Sequence, residues 1–242
     1  MLISSELLLA QTGFKNQQMQ YERVKTAYKE KEKMIINELK TKKLSLTSIE
    51  IMLLAFKKER ILELWVKQST QNEYELIKTY QFSAFSGKLG PKRKQGDNQI
   101  PEGFYFIDRF NPTSNFYLSL GVSYPNNADK IKSKANDLGG DVFIHGNSVT
   151  IGCIPITDDK IKELYIYAVE AKNNAQKNIP VYIFPARLTS QNYTSLKKEF
   201  STNEALLLFW QNLKEGYDFI LNNKKEPKVT VDKNGNYIIS AK

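Results

Sequence analysis

Apolar positions along this chain change their period, and each change predicts a different element. Between 17 and 43, Val24, Tyr28, Ile35 and Leu39 recur at helical spacing among charged side chains, which predicts an amphipathic helix. Such a helix packs on the rest of the domain or pairs with a partner helix. From 51 the pattern shortens. Residues 51–56 and 61–66 are compact apolar runs separated by Lys57-Lys58-Glu59-Arg60, and a third run follows at 74–82. Runs of this length broken by polar turns predict strands in a meander. Further strands are expected at 103–107, 116–120, 141–145 and 181–184. Between them, 86–97 and 111–115 are rich in Gly, Pro, Asn and Asp, the residues that supply the backbone angles of sharp turns.

Beyond residue 153, Thr157 is placed to cap a helix whose first turn holds Asp158 and Asp159 and whose inner stripe is Ile161, Leu164, Tyr165 and Ala168. A last helix is expected over 204–217. The segments 228–231 and 237–239 then flank Asn234-Gly235 as a hairpin. The division that follows is an N-terminal region at 1–45, a central domain at 46–190, and a C-terminal helix and hairpin at 191–242 packed on it.

The charge balance narrows the partners. Lys and Arg number 35 against 26 Asp and Glu, a formal net charge of +9, which favours anionic partners of some kind. Much of the lysine alternates with glutamate, as in Lys29-Glu30-Lys31-Glu32-Lys33, and reads as a solvated helix face. Lys92-Arg93-Lys94 lacks the interleaved aromatics of a nucleic-acid platform, so no nucleic acid is expected. No run approaches the ~20 apolar residues of a membrane helix. Met1-Leu2-Ile3 and 7–10 are apolar but divided by Glu6 and preceded by no basic leader, so no secretory signal is read there.

One cysteine and one histidine exclude an internal disulfide and a thiolate metal cage. No metal and no cofactor is expected, since neither a carboxylate cluster nor a phosphate-binding glycine fingerprint is present. Yet the two singletons lie eight positions apart, in His145-Gly146-Asn147-Ser148-Val149-Thr150-Ile151-Gly152-Cys153. A free cysteine is ordinarily an inert small hydrophobe. Here both reactive residues are unique, close and glycine-flanked, which favours a thiol nucleophile with an imidazole base. Gly146 lets the chain turn beside the ring. Gly152 allows substrate close to the thiol, and the N–H groups of Gly152 and Cys153 are offered as oxyanion donors. Thr150 is expected to bond to the loop or the substrate.

Ile144-His145-Gly146 with Thr150-x-Gly152-Cys153 resembles the signature of the YkuD-type L,D-transpeptidases, cysteine enzymes that remodel bacterial peptidoglycan. Ser86-Gly-Lys-Leu-Gly-Pro-Lys, Pro101-Glu102-Gly103-Phe104-Tyr105, Asn111-Pro112-x-Ser114 and Tyr124-Pro125-Asn126 resemble the YafK-like branch of that family. So does the later run from Phe209-Trp210 to Gly216-Tyr217. The short His-to-Cys spacing, and Pro155 where the wider family carries an arginine, also match that branch. Lys88, Lys92 or Arg109 would replace that cation, or its role would go unfilled.

The resemblance implies an α+β fold, a mixed β-sandwich or barrel with flanking helices. It implies a Cys153 thioester on a peptidoglycan stem peptide, with His145 as general base and acid. Ser86, Gly87, Lys88, Lys92, Pro101, Glu102, Gly103, Tyr105, Tyr124 and Asn126 are the implied substrate contacts. Hydrolytic release of wall-linked protein is the alternative within the enzyme class, and a non-catalytic wall-binding module the alternative outside it. A monomer in the periplasm or cell envelope is expected.

Overall fold

The computed structural model describes residues 13–242, so the apolar start at 1–10 lies outside the described residues. Strands β1 (Ile49–Phe56), β2 (Ile61–Gln68) and β3 (Glu75–Gln81) form the antiparallel meander. β1 reads as one continuous apolar run because it is covered on both faces. Ile49, Ile51, Leu53 and Ala55 enter one core, while Met52, Leu54 and Phe56 enter a second.

With β4 (Gly103–Asn111), β5 (Ser119–Val122), β6 (Phe143–His145), β7 (Ile154–Pro155) and β8 (Pro180–Phe184), the sheet has eight strands in the order β3-β2-β1-β8-β4-β5-β6-β7. Its pairings are antiparallel except β1 with β8 and β6 with β7. The result is a curled mixed sheet with helices on both faces, an α+β architecture.

The first core lies under α1 (Phe14–Gln18), α2 (Glu22–Thr41) and α4 (Asp158–Asn173), reached after the short α3 (Asn127–Lys132). The predicted α2 stripe of Val24, Tyr28, Ile35 and Leu39 is buried there, so this helix packs on its own domain. Its charged run is exposed at Lys29, Glu30 and Lys33, as expected, but part of it also makes contacts between helices. Lys31 Nζ lies 2.5 Å from Asp159 and 3.6 Å from Glu163, and Lys162 Nζ lies 2.6 Å from Glu30. Glu30 and Lys31 of the run therefore bridge α2 to α4.

The second core lies under α5 (Ser190–Glu199), α6 (Glu204–Asn223) and the hairpin β9 (Lys228–Val231) with β10 (Tyr237–Ser240). α6 runs a turn and a half beyond its expected end, because Tyr217 and Ile220 continue the buried face. The polar segments of α3 and α5 carry little apolar periodicity and were not anticipated. β5 begins at Ser119 rather than 116, since Tyr117 takes a φ of +72° that breaks the extended backbone ahead of it.

Lys57, which the sequence places in a polar turn, is fully buried. Its Nζ lies 3.0 Å from Glu102 and donates to the carbonyls of Gly90 at 2.6 Å and Ile100 at 2.8 Å. Glu102 accepts the N–H of Gly90 and the Trp210 indole N–H, both at 2.7 Å. This network pins the 86–102 loop to β1 and α6, which fixes the wall of the site described next.

Candidate active site

Ile144 and Ile154 face each other across the parallel β6–β7 pair and point into the first core. Side chains alternate along a strand, so His145 points to the opposite face. Cys153 immediately precedes Ile154 at the start of β7, and alternation turns it away from that core as well. The register thus brings the two singletons to neighbouring strands, His145 at the end of β6 and Cys153 just ahead of β7.

The loop between them is tied down residue by residue. Asn147 donates its N–H to Asp158 Oδ1 at 2.7 Å, and Thr157 donates its N–H to the Asn147 carbonyl at 3.2 Å. These bonds correct the expected Thr157 cap. Its hydroxyl makes no capping bond and its φ is +75°, because the start of α4 is held by the loop after His145 instead. Gly146 has no room for a side chain: a Cβ there would meet Asp158 and the Phe116 carbonyl. Gly152 has φ +128°, and a Cβ on it would lie 3.0 Å from the Gln99 carbonyl.

Thr150 organises the thiol end. Its Oγ1 accepts the N–H groups of Gly152 at 3.2 Å and Cys153 at 2.8 Å, and donates to the Cys153 carbonyl at 2.8 Å. The two N–H groups offered as oxyanion donors are thus bonded to Thr150. A hydroxyl three residues before the cysteine reaches them first.

His145 is buried. Its Nδ1 lies 2.5 Å from the Gly146 carbonyl, and the Phe116 ring stacks on the imidazole with centroids 4.5 Å apart. A carbonyl only accepts, so Nδ1 carries the proton and Nε2 keeps its lone pair. Burial pulls the imidazole below its ordinary value, against a smaller opposite effect of the Gly146 carbonyl.

Cys153 is half-buried, and its thiol donates to the Asp141 carbonyl at 3.6 Å. Burial pushes the thiol up. The Phe143 N–H opposes this, the Asp141 carboxylate adds to it, and the Lys92 ammonium opposes it. Among the described residues there is no direct Cys153–His145 hydrogen bond. Such bonds are commonly long without substrate and tighten only in the complex.

The thiol opens on a cavity of about 160 Å³ whose lining includes Lys92, Gln95, Asn98, Asp141 and Ile151. Of the ten expected substrate contacts, Lys92 alone lines it. Lys88 lines an adjoining cavity. Gly87 is exposed in a turn, Ser86 has a buried hydroxyl with no hydrogen-bond partner among the described residues, and Tyr124 is buried with its hydroxyl on the Leu138 carbonyl. Pro101, Glu102, Gly103 and Tyr105 are buried, Glu102 in the Lys57 network and Tyr105 with its hydroxyl on Asp129. Asn126 caps α3 and donates to Phe104 and Tyr237. These last five hold the fold, and the structure does not bring them to the thiol. Arg109 pairs with Asp141 at 2.9 Å, behind the carbonyl that holds the thiol. Asp141 and Phe116 escaped the sequence reading; an aspartate with φ +53° beside a glycine pair and an aromatic before a strand give no local signal.

A family model of the L,D-transpeptidase catalytic domain, YkuD, matches residues 52–183. The chain belongs to this family. It is 37% identical over 187 residues to the Escherichia coli K12 protein YafK, named as a candidate L,D-transpeptidase; the match covers 76% of this chain and 72% of that protein. Among solved structures, the helical cell shape determining protein Pgp2 from Campylobacter jejuni aligns with a TM-score of 0.45 at 19% identity, over 77% of this chain and 74% of that one. Bd1075 of Bdellovibrio bacteriovorus aligns with a TM-score of 0.39 at 25% identity, over 57% and 48%. The L,D-transpeptidase family acts on peptidoglycan, an envelope polymer. No helix among the described residues is long and apolar enough to cross a membrane.

Proposed function

We propose that this chain is a cysteine acyltransferase of peptidoglycan stem peptides, with Cys153 as nucleophile and His145 as its proton carrier. The observation that supports the reading is the pairing of β6, which ends in His145, with β7, which follows Cys153, with the thiol on a cavity. The protonation states agree with it. Burial keeps the thiol protonated and the imidazole neutral, so the pair starts as acid and base rather than as an ion pair.

In this mechanism Nε2 takes the thiol proton as sulfur attacks the amide carbon of the stem peptide. The C–S bond forms and the carbonyl π electrons move to oxygen. Collapse expels the amine, which takes the proton from the imidazolium, and leaves a thioester. A second amine then gives transpeptidation; water gives hydrolysis, the route by which wall-linked protein would be released. The Nδ1–H bond to Gly146 holds the ring tautomer throughout. Residues 46–190 form the catalytic domain in this reading, with 1–45 and 191–242 docked on it, and the enzyme works as a monomer in the periplasm. No cofactor enters any step.

The test is product analysis with a tetrapeptide muropeptide. Wild type should release D-alanine, with dimers if transfer dominates and tripeptide if water wins. Cys153→Ala should give neither. Equal product from Cys153→Ala, or binding to sacculi without any turnover, contradicts the proposal.

A further inference from the structure

Beside the thiol cavity lies a wider one, of about 570 Å³, lined by Lys88, Arg93, Lys94, Lys132 and Lys134 with Asp97 as its one carboxylate. The two cavities share their walls. Loop residues 92, 95, 96 and 98 border the thiol side, while 93, 94, 97 and 99 border the basic side. The segment 132–142 repeats this: 132–135 line the basic cavity and 140–142 the thiol cavity. Bonds from Gln95 N–H to the Asp137 carbonyl (3.0 Å) and from Ser133 hydroxyl to the Arg93 carbonyl (2.6 Å) join the walls.

The positive charge of this cavity is not neutralised from within. Asp97 Oδ1 takes Lys92 Nζ at 2.7 Å and the Gln99 N–H at 3.1 Å. Its Oδ2 takes the N–H groups of Arg93 at 2.8 Å and Lys94 at 3.1 Å. A carboxylate has about four acceptor positions, so Asp97 is spent on the loop. Arg93 is paired with Asp129 at 3.0 Å. Lys132 donates to the neutral amide of Asn236 at 2.8 Å; burial and the Arg93 charge pull its ammonium down, against a smaller opposite effect of the Asp232 carboxylate. Lys88, Lys94 and Lys134 have no carboxylate partner among the described residues. Like charges gathered in one concavity repel, and an anion seated there relieves them.

We propose that this cavity is a subsite for carboxylates on the substrate peptide, holding the part of the chain that extends past the thiol. It rests on the reading of the protein as a peptidoglycan acyltransferase. Lys88, Lys94 and Lys134 supply the charge, and the shared walls set the distance between the bound carboxylate and the Cys153 sulfur.

Binding tests it without turnover, in the full chain carrying Cys153→Ala. The probe is a tetrapeptide muropeptide with free carboxylates, beside the same peptide with its carboxylates amidated, measured by calorimetry. A triple variant Lys88→Gln, Lys94→Gln, Lys134→Gln replaces exposed side chains, and an unchanged melting temperature shows that it folds. Its affinity for the free peptide should fall about tenfold, amidation should weaken the unsubstituted protein equally, and the triple variant should no longer distinguish the two peptides. Equal binding by the triple variant, or indifference to amidation, overturns the subsite. Inorganic phosphate binding in its place, lost in the triple variant while peptide binding is not, also overturns it. Carboxylate-dependent binding with no Cys153-dependent turnover would remove the catalytic reading and leave the subsite. Turnover with unaltered binding in the triple variant would do the reverse.

Discussion

Thr150 and Cys153 are joined twice: the threonine Oγ1 accepts the cysteine N–H at 2.8 Å and donates to the cysteine carbonyl at 2.8 Å, while also accepting the Gly152 N–H at 3.2 Å. One hydroxyl therefore fixes the backbone that presents the thiol. Thr150→Val keeps the shape and removes these bonds. It should lower kcat about 10- to 100-fold, the usual cost of a misplaced reacting group, while Thr150→Ser recovers most of the rate. Steady-state kinetics with a muropeptide reads this, and an unchanged kcat in Thr150→Val would mean the clamp is irrelevant to the reaction.

The Lys57–Glu102 pair makes a stability prediction. Lys57→Met leaves Glu102 as an uncompensated buried charge with only the Gly90 and Trp210 N–H groups around it. Removing one member of such a pair costs about 3–5 kcal/mol. Lys57→Met with Glu102→Leu should be closer to wild type than either single change. Urea unfolding at neutral pH measures all of them, and an additive double variant would argue against the pair.

Burial of neutral His145 sets a pH dependence of stability. Its folded-state value lies below the ordinary one. Between that value and about 6.5 the unfolded chain carries a proton that the folded chain does not, so stability falls as pH drops below about 6.5. The loss is complete once pH has passed below the folded-state value. Unfolding free energies from pH 7 to 5 should decline less steeply in His145→Gln than in wild type. Parallel curves would show that His145 is not the group responsible.

Gly152 is expected to be intolerant. Its φ of +128° and the 3.0 Å approach of a Cβ to the Gln99 carbonyl make Gly152→Ala costly by about 1–3 kcal/mol. Thermal unfolding gives the cost, and a melting temperature equal to wild type would contradict this account of the loop.

Much of the scaffold was legible because burial on both faces writes itself as continuous apolar runs, as in β1, and a helix packed on one face writes a stripe, as in α2. The β6–β7 site was legible for a different reason: its two chemical groups are unique and near each other in sequence. What escaped depends on contacts between distant segments. Lys57 and Glu102 look like a turn lysine and a motif carboxylate until the fold buries them together. Gly152 and Cys153 N–H groups look free until Thr150 is placed. The basic cavity needs Lys88 and Lys134 to line one concavity, and no local pattern announces that two loops share a wall.

The most direct test of the central claim is the intact mass of the protein after brief incubation with a tetrapeptide muropeptide, followed by peptide mapping and treatment with neutral hydroxylamine. The account predicts an acyl adduct on Cys153 that hydroxylamine removes and that is absent from Cys153→Ala. Product formation with no adduct at Cys153, and undiminished in Cys153→Ala, would contradict it.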